Sequence, residues 1–181
     1  MSSKGAKGAN FEREISKKLS LWWTGGERDD VFWRTSQSGG RASARAKIGK
    51  KTYGSYGDIA AVDPVGSPLI EKVTIELKRG YKKWSILDLI DKPERAAKQT
   101  FEKFLEQVKR DAKLAKTPCF MIIFKRDRRE VCVAVSKGLY NLSPLEDKEK
   151  VISIQTGKEL VYVMSFKSFL KHFLPGNFKN E

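Results

Sequence analysis

This chain has very little cysteine, no long apolar run and too few acids for its bases. Of its 181 residues only two are cysteine. Both, Cys119 and Cys132, lie in apolar, strand-like runs. They read as buried reduced thiols of a cytosolic protein, which excludes a disulfide or zinc framework. No apolar stretch approaches the roughly 20 residues needed to span a bilayer. Met1 to Gly8 has no apolar core, so no secretory signal is expected. No internal repeat is present. Asp and Glu number 22 against 36 Lys and Arg, a net charge of +14. Such a field attracts polyanions, and nucleic acid is the partner to expect before a membrane surface. The length suits one domain with a real hydrophobic core.

The stretch Gly57 to Lys78 organises the rest. Two apolar, β-branched runs flank Pro64-Val65-Gly66-Ser67-Pro68, which predicts a hairpin. In the second run Val73, Ile75 and Leu77 point one way, and Thr74, Glu76 and Lys78 the other. Residue numbers facing each other across a hairpin sum to a constant. A turn centred on Ser67 puts Asp58 opposite Glu76; one centred on Gly66 puts it opposite Thr74. Facing side chains lie roughly 4.5–5.5 Å apart at Cβ. Two carboxylates that close need a shared proton, a neighbouring lysine or a divalent cation to offset their repulsion. Lys78 is one candidate, and an oxygen-rich site suits Mg²⁺. Taken alone, Glu-x-Lys on a strand is an ordinary surface ion pair; Asp58 at the matching register makes it a candidate metal site.

Residues 1–9 are small and basic and read as a flexible lead-in. From Asn10 a helix is predicted, with Phe11, Ile15, Leu19, Trp22 and Trp23 on one face. At about 100° per residue, Glu12 falls inside that apolar sector and Glu14 outside it. Glu14 sits one turn before Lys18, where an exposed pair is expected. Glu12 either reaches water at the rim or joins Asp58 and Glu76 as a third acid. Thr24-Gly25-Gly26 ends the helix, and Val31 to Arg34 reads as a short strand.

Residues 36–56 are rich in Gly, Ser and bases and hold no acid. Unable to bury itself, this segment is expected to be a mobile loop. Its Arg41, Arg45, Lys47, Lys50 and Lys51 lead directly into Asp58 and are candidate phosphate contacts. Arg79 to Trp84, just past Lys78, suits backbone contact and stacking, although Trp84 by itself reads more readily as a core anchor. Ser85 to Ile90 resembles a short helix. Pro93 is predicted to open a long one with the stripe Ala97, Phe101, Phe104, Leu105, Val108, Ala112 and Ala115. Cys119–Phe124 and Val131–Val135 read as strands, with Lys125 to Arg129 a basic hairpin tip between them. Val151–Ile154 and Leu160–Met164 are strand-like. Ser165 is expected to cap a last helix bearing Phe166, Phe169, Leu170 and Phe173. His172 reads as a surface residue.

Four pieces stand in series: Lys7-Gly8-Ala9-Asn10-Phe11-Glu12-Arg13-Glu14, Trp33-Arg34-Thr35-Ser36-Gln37-Ser38-Gly39, Gly57-Asp58-Ile59 and Glu76-Leu77-Lys78. In that order the chain resembles the PD-(D/E)XK nuclease superfamily, and within it the archaeal and phage-type Holliday junction resolvases. The resemblance covers the first half of the chain. It implies an α/β (α+β) fold: a restriction-endonuclease-like core, a mixed central sheet flanked by helices, in the order αβββαβ. The core would span 10–135, with 136–181 a C-terminal extension packed on the same domain. It also implies roles. Asp58, Glu76 and the main-chain carbonyl of Leu77 would bind Mg²⁺, with Mn²⁺ able to substitute. Lys78 would orient or help deprotonate the attacking water, and Glu12 would hold a metal-bound water or complete the site. Arg13, Arg34 and Ser36 would contact DNA near the scissile phosphate.

Three functions follow. The first is a structure-selective endonuclease on branched DNA, cytoplasmic, prokaryotic or phage-encoded, and homodimeric because a junction has two-fold symmetry. The apolar helix faces and Trp22/Trp23 could serve that interface, though core is their simpler use. The second is a restriction or repair nuclease, or a nickase, on the same fold, which would need base-reading elements. The third is a basic nucleic-acid-binding protein with structural acids; it predicts salt-sensitive binding and no cleavage.

Overall fold

The computed structural model describes residues 4–35, 56–80, 86–89, 91, 100–143, 150–157 and 159–178. The expected basic loop at 36–56 lies outside them except for Tyr56, as do Trp84 and the predicted helix start at Pro93. In chain order the elements are α1 (Lys4–Trp23), β1 (Phe32–Arg34), β2 (Ile59–Ala61), a 3-10 turn (Pro64–Gly66) and α2 (Ser67–Lys72). β3 (Val73–Arg79), a second 3-10 turn (Leu87–Leu89), α3 (Thr100–Ala115), β4 (Cys119–Lys125) and β5 (Val131–Ser136) follow. The chain continues with α4 (Lys137–Tyr140), β6 (Ile152–Thr156), β7 (Glu159–Ser165), α5 (Phe166–His172) and a last 3-10 turn (Pro175–Phe178). The main elements keep the expected order αβββαβ. The helix starts at Lys4, so residues 4–9 belong to α1 and not to a flexible lead-in.

Five strands form one sheet in the order β3-β4-β5-β7-β6, while β1 and β2 form an antiparallel pair of their own. β3 and β4 are parallel; the other pairings are antiparallel. A parallel step needs a crossover, and α3 lies on that path. The sheet has an apolar core on each face. On one side Phe11, Ile15, Leu19 and Trp23 of α1 meet Ile75, Leu77, Met121 and Ile123, together with Phe166, Phe169 and Phe173 of the C-terminal segment. On the other, Phe101, Phe104, Leu105 and Val108 of α3 cover Phe120, Ile122, Phe124 and Ala134. The sheet is therefore sandwiched between helices, the fold class the sequence implied. Both thiols are free, Cys119 buried and Cys132 half-buried.

Trp23 is a core residue here, and Trp22, half-buried, packs against the same core. Their indole N–H groups donate to Phe173 O at 2.9 Å and Val65 O at 2.7 Å, closing α1 onto both the C-terminal segment and the 3-10 turn. The helix stops where Gly25 and Gly26 take positive φ and Gly26 N–H returns to Leu21 O at 2.7 Å. Ser165 does cap α5, accepting from Ser168 N–H at 2.9 Å.

The expected hairpin is absent. Ser67 to Lys72, read as the end of the turn and the start of the second apolar run, is helical, and β2 pairs with β1 instead of β3. Pro68 in the first helical turn favours that helix. Leu69-Ile70 is an apolar run too short for periodicity to distinguish helix from strand.

Candidate active site

β3 is buried along nearly its whole length. Its odd residues pack toward α1, so Thr74, Glu76 and Lys78 face α3. Glu76 and Lys78 are thereby carried into the interior, 2% and 9% exposed. An uncompensated charge there is costly, so each must find partners. Lys78 Nζ donates to Glu76 Oε1 at 2.5 Å and to Gln107 Oε1 at 2.9 Å, and Gln107 Nε2 donates to Glu76 Oε1 at 2.6 Å. Three side chains from two elements thus close a ring of hydrogen bonds. The Lys78 ammonium also lies 5.4 Å from the centre of the Phe104 ring, a cation–π contact.

Asp58 arrives from the other sheet. Its N–H donates to Ile75 O at 2.8 Å, and its Oδ2 accepts the Leu77 N–H at 2.7 Å. These two bonds set it against Glu76 on the free edge of β3. The Leu77 carbonyl lies on that same edge, because N–H and C=O of one strand residue point the same way. Gly57 makes the approach possible. It has φ +81°, and a Cβ there would stand 2.5 Å from Ile75 O. The expected Asp58–Glu76 juxtaposition is therefore present, reached by a different chain path.

Burial, then the charge of Glu76, raises the Asp58 carboxyl to about 7; the Leu77 N–H and Lys78 oppose that rise. Burial also raises Glu76, against the pull of Lys78, and the Asp111 carboxylate adds to it. Glu12 is half-buried and its Oε2 lies 3.0 Å from Arg34 Nε. Its carboxyl is raised by burial and then by Asp58, while Arg34, Arg13 and Lys78 hold it down. Glu12 thus stands on the Asp58 side of α1. Glu14 forms the expected exposed pair with Lys18 at 2.7 Å, which lowers its carboxyl.

Asp58, Glu76, Leu77 and Lys78 come together, with Glu12 and Arg34 beside them. Arg13 is exposed and bonded to Asn10 Oδ1 at 3.0 Å. Arg79 is turned to the opposite face, 6.0 Å from the Phe11 ring centre. Ser36, Arg41, Arg45, Lys47, Lys50 and Lys51 lie outside the described residues. Among the described residues no three His, Cys, Asp or Glu side chains form a ready-made metal set. Sequence reasoning missed Gln107 and the buried Asp111, polar residues at the margin of the α3 apolar stripe.

A family model described as "Phage putative PDDEXK endonuclease" matches residues 3–180. The chain belongs to that family. Membership in this PDDEXK endonuclease family makes it a nuclease, and the match runs through β6, β7 and α5 as well as through β3. The letters of the family name fit Asp58 and Glu76-Leu77-Lys78, with Gly57 where the proline would stand. Proline, fixed near φ −65°, could not adopt the backbone this close approach uses. Neither the curated proteins nor the solved structures offer a match. No helix among the described residues is long and apolar enough to cross a membrane.

Proposed function

We propose that the chain is a divalent-metal-dependent endonuclease that hydrolyses DNA phosphodiester bonds, acting on branched DNA as a homodimer. The observation that carries this reading is the meeting of Asp58 with Glu76 and Lys78 at one edge of β3. The donor set fits a hard cation. Two buried carboxylates share the edge, and burial, reinforced by the charge of Glu76, keeps a proton on Asp58 up to about pH 7. Replacing that proton by a divalent ion would relieve the repulsion. Asp58, Glu76 and the Leu77 carbonyl would hold Mg²⁺, or Mn²⁺ in its place, with Glu12 reaching it through water. When bound, the ion would make water more acidic and offset charge developing on the phosphate.

The chain's own groups do the rest. Lys78, fixed by Gln107 and Glu76, would orient the attacking water and stabilise charge on the phosphate. Arg34 would exchange Glu12 for a phosphate oxygen, and Arg13 would take a neighbouring one. The net charge of +14 supports a polyanionic substrate. The resolvase-like motif series and the two-fold symmetry of a junction support branched DNA and a dimer.

One assay tests this. Linear duplex, single strand, flap and four-way junction DNA are incubated with the protein in Mg²⁺, Mn²⁺ or EDTA. Paired symmetric nicks in the junction, dependent on metal, are expected. Equal cutting of every form would replace junction selectivity by a general nuclease. Binding without cutting in either metal would refute the catalytic reading.

A further inference from the structure

We propose that the β4–β5 hairpin tip is a second DNA-backbone grip, separate from the 36–56 segment and from the scissile phosphate. This rests on the nucleic-acid partner of the proposed function. Register fixes its place. Lys78 lies opposite Phe124 and Arg79 opposite Lys125, so the turn that follows Lys125 lies just past the Lys78 end of β3. At about 3.3 Å per residue and 4.8 Å per strand, it begins within roughly 10 Å of Lys78 along the sheet. That spacing is comparable with the roughly 12 Å width of a major groove. A duplex with a phosphate at Lys78 would therefore present further phosphates to the tip.

The chemistry suits phosphate. Lys125, Arg126, Arg128 and Arg129 stand against two acids, Asp127 and Glu130. Arg126, Arg128 and Arg129 are exposed and form no ion pair among the described residues. Arg128 holds φ +58°, a left-handed conformation that a long side chain rarely takes. Beside the tip, Arg79 has one guanidinium nitrogen 3.9 Å from Asp127 and another, Nη1, with no acceptor among the described residues. Lys125 and Arg79 also both act on Glu14 of α1, so this cationic surface faces the α1 side of the sheet.

The test is the salt dependence of DNA binding in EDTA, where no cutting interferes. The probe is a linear duplex of about 30 base pairs, about three helical turns. The tip variant combines Arg126→Ala, Arg128→Gly and Arg129→Ala. A charge-matched control combines Lys113→Ala, Lys116→Gly and Lys137→Ala, exposed residues at the opposite end of the sheet. The slope of log K against log salt should become shallower by about 2 to 3 in the tip variant and stay as wild type in the control. The single variant Arg126→Ala should account for about 1 of that and serves if the triple variant melts early. A tip slope equal to wild type, or equal losses in tip and control, would overturn the proposal. A wild-type protein that never cuts would refute the nuclease reading and leave the slope comparison standing.

Discussion

Asp58→Asn should abolish cleavage and yet stabilise the metal-free protein. In the unfolded chain the Asp58 carboxyl titrates near its ordinary value of 3.8; in the folded chain it does so at about 7. Between those values the folded state holds a proton that the unfolded state has lost. The stability associated with this group is whole below about pH 4, falls as pH rises through 4 to 7, and is gone above 7. The full difference amounts to about 4 kcal/mol against folding at pH 8. Asp58 is 7% exposed, so solvent screens little of it. Asparagine mimics the neutral form, keeps an oxygen for the Leu77 N–H and offers Glu76 a donor. A gain of about 2–4 kcal/mol at pH 8 is expected, or about 5–15 °C in Tm for a chain of this size. The assay is thermal unfolding followed by circular dichroism in EDTA from pH 5 to 9. Wild type should lose stability across the lower half of that range, and the variant should be flatter. Mg²⁺ should then raise the wild-type Tm and leave the variant's unchanged. A variant less stable than wild type at pH 8, or one with the same pH slope, would refute the account of the carboxylate pair.

Two further substitutions probe how the site is held. Gly57→Ala puts a methyl 2.5 Å from Ile75 O at φ +81°. It should cost about 2–3 kcal/mol in urea unfolding and remove cleavage, and a loss under about 0.5 kcal/mol would contradict the close approach. Gln107→Ala takes an acceptor from Lys78 and a donor from Glu76. It should lower the single-turnover cleavage rate about tenfold, as befits about 1.4 kcal/mol, with duplex affinity in EDTA unchanged. A rate equal to wild type would mean Lys78 needs no such support.

Much of this was legible in the sequence because alternation and helical spacing are strong signals. Glu12 and Glu14 separated as their angles on α1 required, one beside Asp58 and Arg34, the other paired with Lys18. The Asp58–Glu76 pairing was legible for a subtler reason. The chain returns to β3 at the register a turn centred on Ser67 gives, although it gets there through a 3-10 turn and α2. The short run Leu69-Ile70 had no periodicity long enough to reveal that path. Gln107 went unseen although the reasoning that singled out Glu12 applies to it. Polar groups at the margin of an apolar stripe are ambiguous until a partner element is known, and β3 supplies that partner. The two separate sheets were illegible, because pairing of β1 with β2 is a non-local choice.

The two halves of the candidate site belong to different sheets and meet at a seam. Thr35 N–H donates to Asp58 O at 2.9 Å and Thr35 Oγ1 to Gly57 O at 3.1 Å, so the chain leaving β1 is stitched to the chain re-entering β2. Whatever lies between those stitches can be lengthened, shortened or replaced without shifting Asp58 against β3. The seam holds the two carboxylates in register through backbone bonds of its own, at Thr35 as at Leu77.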